Sequence, residues 1–419
     1  MLSIFEIAAM LLALSAFFGW FNGYLLKLPH TIGLLLMALV ASVSLLLLEY
    51  FFPTLGITDA LQSVIGQIDF YSTVMEGMLA FLLFAGALHV DISYLRDQRW
   101  AIGLMATGGI LISTFLVGAG FWFVTGLLGL QVPFLWALVF GALISPTDPV
   151  AVLSLLKSVN VPHSIEAKIA GESLFNDGVG VVLFTILVAI AAGAGETQVD
   201  AAHVAELFFV EAGGGAVLGL LTGWLAYKAI ASIDEYSLEI LITLGVVAGT
   251  YALAQRFHLS GPIAVVVAGL LIGNHGARHG MSELTRNHLF GFWQMIDEIL
   301  NSVLFLLIGL EILILKIEPS FAFVAAATIP IALGARFISV SVPIIALSIK
   351  QTFTSGAIPV LTWGGLRGGI SVALALSLPA IPEKSLILTA TYAVVLFSIV
   401  VQGLTVKAVV EKFVDPKLL

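Results

Sequence analysis

Thirteen apolar stretches follow one another along this sequence with only short polar breaks between them, most close to the ~20 residues that carry a helix across a bilayer. They lie near residues 4–26, 30–52, 70–91, 99–128, 133–156, 164–192, 203–228, 236–255, 261–275, 288–315, 319–349, 355–380 and 385–413, called spans 1 to 13 below. In lipid, each backbone N–H and C=O must be satisfied within the segment, so these stretches are expected to be helices. An all-α polytopic membrane protein follows, and a composition that is 60% hydrophobic agrees with it, since soluble domains are roughly half apolar. Span 9 is short and spans 4 and 11 are long, which predicts tilt or an adjoining interfacial helix. The first span has no basic residue before it and no small-residue cleavage signal after it, so it is expected to be retained. The absence of cysteine excludes disulfides, thiolate metal sites and cysteine nucleophiles. No Walker motif is present to power transport with a nucleotide, and no cofactor, nucleotide or nucleic-acid partner is expected.

An odd number of spans places the termini on opposite sides, and the basic residues test this independently. Twelve fall on the C-terminal side: Lys27, Arg96, Arg99, Lys157, Lys168, Lys228, Arg278, Arg286, Lys350, Lys407, Lys412 and Lys417. Three fall on the other side: Arg256, Lys316 and Lys384. That segregation predicts an N-terminus outside and a C-terminus in the cytoplasm of a multi-pass protein of the plasma or inner membrane. The remaining two, Arg336 and Arg367, lie inside spans 11 and 12.

Internal similarity suggests a repeat. LKLPHTIGLLLMALVAS after span 1 is echoed by FHLSGPIAVVVAGLLIG, and FLLFAGALHVDI by LFLLIGLEILIL, at offsets of 231 and 223 residues. If spans 1–6 repeat as spans 8–13, span 5 with Asp148 pairs with span 12 holding Arg367, at an offset of 219. One linking span between the copies inverts the second copy, an arrangement typical of transporters. The expected organisation is one membrane domain over 1–415, with a first repeat over about 4–192, a linking span over 203–228, a second repeat over 236–413, and no soluble regulatory domain. Chance likeness between Leu- and Gly-rich helices is the competing explanation.

The charges inside the spans carry the functional signal. In span 5, GALISPTDPVAVLSLLK, Pro146 and Pro149 flank Thr147 and Asp148. Prolines remove amide donors and disturb the preceding turn, so the helix is expected to unwind beside a carboxylate, a natural setting for a cation. The alternative is a proline kink to which Asp148 bonds structurally. Span 12, LTWGGLRGGISVALAL, permits the same interruption through glycines around Arg367. In span 6, GESLFNDGVGVVLF, residues four apart share a stripe. Ser173 and Asp177 form one stripe, and Glu172 and Asn176 the next. A hydroxyl one turn before a carboxylate offers two oxygens to a hard cation. An unpaired charge in a span demands a partner, and pairing Glu172 with Arg336 leaves Asp177 available. A single structural ion-pair network is the alternative. Glu76 either faces the access path or sits at a solvated helix end. Asp297 and Glu298 are expected at interfacial water, with Asn301 and Ser302 as pathway candidates; Glu6, Glu49 and Glu311 read as helix-end residues. His275 and His279, with Arg278 between them, read as a solvated loop rather than a metal-binding pair.

At SPTDPVAV (Ser145 to Val152) and GESLFNDGVGVVLF the chain resembles the NhaP-type sodium/proton antiporters, prokaryotic relatives of the animal sodium/hydrogen exchangers. The likeness runs the whole length and includes the count of thirteen spans and the arginine-bearing GGLRGG. It implies a homodimer, with a dimerisation domain and an elevator-like core of helices at about 99–192 and 319–413. It also implies that Asp177 is the ion- and proton-binding carboxylate, with Thr147, Asp148 and Ser173 around Na+ or Li+. Asn176 stands where electrogenic relatives carry a second aspartate, Glu172 would pair with Arg336, and Arg367 would hold the crossing. Span 3, AFLLFAGALHVD, departs from the family by lacking the proline pair or acid that many relatives place there, which leaves the role of Glu76 open.

These features predict antiport of Na+ (or Li+) against H+ for pH homeostasis, with cation and proton competing for Asp177. A neutral Asn176 predicts one-for-one, electroneutral exchange. A K+/H+ antiporter of the same fold and a cation channel are the alternatives. An intramembrane enzyme would need a nucleophile and base or a metal site, and the sequence offers no such set.

Overall fold

All regular structure is helical in the computed structural model, which describes residues 3–52, 66–148, 152, 161–193, 201–313, 318–349, 351 and 353–414. Pro149, span 5 beyond Val152 with Lys157, and Lys316, Lys350 and Lys417 lie outside the described residues. Among the described residues, ten segments are helices long and apolar enough to cross a membrane: Phe5–Leu26, His30–Phe51, Ser72–His89, Arg99–Leu127, Ser164–Ala192, Phe208–Ile230, Tyr236–Arg256, Glu283–Glu311, Ala322–Ser348 and Lys384–Phe413. These are spans 1–4, 6–8, 10, 11 and 13. Span 5 is described as the short helix Phe134–Ile144, and span 9 as Gly261–Leu271 extended by one turn. Span 12 is two half-helices, Ala357–Trp363 and Gly369–Leu376. The interrupted spans 5 and 12 are the pair that the repeat aligns.

Local chemistry sets the ends. Ser3 and Glu6 form a capping box at the start of span 1, which accounts for Glu6 as a helix-end residue. Ser260 caps span 9, with Pro262 in its first turn, where a missing N–H costs nothing. Span 10 starts at Glu283, earlier than hydropathy places it, because the Ser282 hydroxyl accepts from the Thr285 amide at 3.3 Å. Between spans 3 and 4 a six-residue helix, Ile92–Asp97, begins at the Asp91 cap. Beyond His89, where the membrane-crossing helix of span 3 ends, the Ser93 hydroxyl and amide, with Arg278 beyond them, hold the Asp91 carboxyl below the usual aspartate range.

Five wider π turns interrupt the described spans, at Asn22–Leu26, Ser72–Met78, Met105–Gly109, Ile272–Gly276 and Ser398–Gln402. Such turns free carbonyls and re-aim side chains, and they gather at functional sites. In span 9, Asn274 uses its turn to accept from the Ile92 amide at 2.8 Å and donate to the Val90 carbonyl at 2.9 Å, fixing the end of span 3.

Spans 4, 5 and 6 pack with spans 11, 12 and 13, spans 1, 2, 3, 7, 8, 9 and 10 pack with one another, and spans 6 and 12 join the two sets through spans 7 and 9 and spans 3 and 10. Small residues allow close approach between helices: a side chain at Gly141 of span 5 would meet the Thr114 carbonyl of span 4.

Candidate ion-binding site

The site begins where spans 5 and 12 stop being helical and cross. A helix end leaves carbonyls without intrahelical partners, and at this depth water is not freely available to them. Ser145 closes the helix Phe134–Ile144 by donating its hydroxyl to the Gly141 carbonyl at 2.7 Å. The next carbonyls, of Ser145 and Pro146, both accept from Arg367 Nη1, at 3.1 and 3.3 Å. The Asp148 amide donates to the Leu366 carbonyl at 2.8 Å. The two broken segments therefore satisfy each other, and Arg367, 3% exposed, bridges them.

Glycine in span 12 is a matter of room here. A Cβ on Gly368 would run into the Asp148 carboxylate, and one on Gly365 into the Arg336 guanidinium. Both contacts need bare backbone at those two positions.

Span 6 supplies the other wall. The Thr147 and Ser173 hydroxyls lie 2.9 Å apart, and Asn176 Nδ2 donates to the Thr147 hydroxyl at 2.8 Å. Asn176 Oδ1 also accepts from the Thr147 amide at 3.3 Å. Asn176 thus latches the unwound part of span 5 to span 6, a role that stripe counting did not reveal. Asp177 is buried among these groups at 3% exposure. Among the described residues it has no hydrogen bond or ion pair, and the charged group that acts on it is another acid, Asp148. The paired Thr147 and Ser173 hydroxyls and the carboxylates of Asp148 and Asp177, on the facing segments of spans 5 and 6, are hard oxygen donors of the kind that suits an alkali cation or a proton.

Glu172, almost wholly enclosed, contrasts with Asp177. Both its oxygens meet Arg336: Oε1 faces Nη1, and Oε2 accepts from Nη2 at 2.9 Å. Arg336 also donates from Nε and Nη2 to the Leu361 carbonyl, at 3.3 and 3.1 Å, so this pair joins spans 6, 11 and the first half of span 12. A cavity of about 10 Å³ borders Arg336, Gly365, Arg367 and Gln402, enough for about one water.

The other acids lie apart from this cluster. Glu76 is exposed within the π turn of span 3. Asp297 accepts from Asn301 at 3.0 Å, Glu298 is exposed, and Ser302 bonds His30 at 2.8 Å. Glu311 does end a helix but is only 8% exposed. His275 and His279 stand on an exposed helical turn rather than a loop, with rings 4.6 Å apart. No group of three or more metal-binding side chains occurs among the described residues. Sequence reading missed Ser398 and Gln402, which hold span 12, and Glu239, enclosed with neither carboxylate oxygen partnered among the described residues.

A helical bundle with two interrupted, mutually crossing spans beside a buried acid defines a class: membrane transporters with a mid-membrane ion site. Residues 12–412 match the family described as sodium/hydrogen exchanger, transmembrane, and the chain belongs to that family. It is 46% identical over 417 residues to the Na+/H+ antiporter NhaP of Pseudomonas aeruginosa, covering 97% of this chain and 96% of that one. It is 36% identical over 398 residues to the Na+/H+ antiporter NhaH of Halobacillus aidingensis, covering 93% of each. The fold is also that of the sodium proton antiporter MjNhaP1 from Methanocaldococcus jannaschii, with a TM-score of 0.74, 21% identity and 98% coverage of both chains.

Proposed function

We propose that this chain is a secondary active antiporter that exchanges Na+ or Li+ for H+. The observation that carries the reading is the contrast within one helix: Glu172 is neutralised by Arg336, whereas Asp177, five residues on, is equally buried and has no such partner. An enclosed carboxylate is stable only when its charge is compensated. Asp177 therefore takes a proton or a cation, and the two exclude each other. Na+ would be held by Asp177, Asp148, Thr147 and Ser173, with Asn176 setting the position of Thr147. Because Asn176 carries no charge, each half-cycle moves one positive charge, and one-for-one exchange is electroneutral. Arg367 acts as the structural charge of the crossing.

Alternating access is assigned to an elevator-like movement of spans 4–6 and 11–13 against the remaining spans, which form the dimerisation surface of a homodimer. The protein is placed in the plasma or inner membrane with its N-terminus outside. The name of each relative above speaks of Na+/H+ antiport, which supports the choice of substrates.

Reconstituted proteoliposomes test the reading. Asp177→Asn is expected to abolish Na+-dependent H+ flux while the protein stays folded and monodisperse; surviving flux would sink the mechanism. Replacing Na+ with Li+ or K+ in the same vesicles separates a K+/H+ exchanger, and flux without obligatory counterflow would reveal a channel. A membrane potential imposed without ion gradients should drive no exchange, and any that appears would refute the one-for-one stoichiometry.

A further inference from the structure

Span 13 carries the stretch SIVVQG, Ser398 to Gly403, whose polar members lie outside the set of ion-binding donors. It forms a π turn, Ser398–Gln402, in an otherwise regular helix running from Lys384 to Phe413. Both polar side chains are buried, at 0% and 3% exposure, and both reach the break in span 12. The Ser398 hydroxyl accepts from the Arg367 amide at 2.9 Å. That amide lies ahead of the half-helix Gly369–Leu376 and has no place in either half's own hydrogen-bond ladder. Gln402 Nε2 donates to the Trp363 carbonyl at 3.0 Å, the last carbonyl of the half-helix Ala357–Trp363. The pair therefore grips the non-helical segment from both ends. Gly403 adds close contact, since a Cβ there would meet Ile32 of span 2 and lie beside Leu366.

The gripped segment is what reaches the ion site. Leu366 accepts from the Asp148 amide, Arg367 donates to the Ser145 and Pro146 carbonyls, and Thr147 lies between those contacts. Ser398 touches the residue that makes the second set, and that residue adjoins the one that makes the first. An ordinary helical serine bonds its own preceding turn instead; the π turn leaves this hydroxyl facing span 12.

From these contacts we infer that Ser398 and Gln402 are positioning residues for exchange: they fix the Trp363–Arg367 segment and, through it, the backbone that places Thr147 and Asp148 around the ion. This rests on the proposed site at Asp177, and the experiment keeps the two apart. Na+-dependent H+ exchange is measured in proteoliposomes across a pH series for wild type, Ser398→Ala, Ser398→Thr, Gln402→Met and Asp177→Asn. Ser398→Ala leaves a buried N–H unpaired, so the segment shifts, and the apparent KM for Na+ is expected to rise about tenfold with the maximal rate within about twofold. The pH profile should move with it, because weaker Na+ binding concedes the site to protons. Ser398→Thr keeps the hydroxyl and should restore both. Gln402→Met keeps the volume, removes the donor and should shift KM in the same direction, which supplies the test if Ser398→Ala does not fold.

A wild-type KM and pH profile in the folded Ser398→Ala and Gln402→Met proteins would overturn the inference, as would a Ser398→Thr protein as impaired as Ser398→Ala. If Asp177→Asn is inactive in the same series, such a result removes the positioning role alone. If Asp177→Asn still exchanges, the site itself is wrong.

Discussion

The ion pair between Glu172 and Arg336 offers the most direct quantitative test of how the core is held. Both side chains are nearly excluded from solvent, at 2% and 7% exposure, and the contact is two-pronged. Removing one partner of such a pair strands the other charge, at a cost of about 3–5 kcal/mol. Glu172→Ala leaves the guanidinium with the Leu361 carbonyl as its remaining partner. Arg336→Ala strands the carboxylate and also releases that carbonyl, so it should be at least as damaging. Removing both charges, as Glu172→Leu with Arg336→Met, eliminates the stranded ion and should recover most of the loss.

Scaling unfolding entropy per residue to a chain of this length gives roughly 1 °C per kcal/mol, so each single change should lower the unfolding midpoint by on the order of 5 °C. Detergent-purified protein scanned at one fixed heating rate, followed by fluorescence of its seven tryptophans, gives the comparison. Glu172→Ala should retain exchange well below its midpoint, since Asp177 is untouched. A Glu172→Ala midpoint equal to wild type would refute the argument. A double variant whose loss is the sum of the two singles would also refute it, because independent losses mean that no stranded charge was being relieved.

Two further outcomes follow from the same packing. Gly368→Ala places a methyl group against the Asp148 carboxylate, and should weaken apparent Na+ affinity by about tenfold or more in a folded protein; unchanged Na+ titrations would show that Asp148 is not held where the ion binds. Glu239 is enclosed with neither oxygen partnered among the described residues, so Glu239→Leu should stabilise the protein by about 1–3 kcal/mol, and a lower unfolding midpoint for that variant would mean that the carboxyl has a partner in the membrane.

The parts that were legible in the sequence are those the bilayer dictates. Hydropathy located the spans because lipid demands backbone satisfied within each segment. Pro146 and the glycines around Arg367 announced the breaks because they are the residues that interrupt a helix. Glu172 and Arg336 found each other on paper because a stranded charge is so costly that few pairings were open. What sequence reading missed has no local signature. Asn176 looked like a neutral substitute for an acid, and its bonds to Thr147 became visible only once span 5 was seen to unwind beside it. Ser398 and Gln402 look like ordinary polar residues in an apolar run, and a π turn leaves no mark on hydropathy. Glu239 sits in the first turn of span 8, where an acid reads as interfacial, and its enclosure comes from the packing around it.

The crossing of spans 5 and 12 also bears on how the protein is made. The carbonyls of Ser145 and Pro146 are satisfied by an arginine 222 and 221 residues further along the chain. At ~5–20 residues per second, a ribosome needs roughly 10–45 s to deliver it. Throughout that interval spans 1–6 have been synthesised with the Ser145 and Pro146 carbonyls without Arg367 and with Glu172 still waiting for Arg336. Spans 1–6 are therefore not a self-sufficient folding unit. A nascent chain stalled before span 12 would expose at mid-membrane the unpaired polar groups that membrane quality control could read as unfinished.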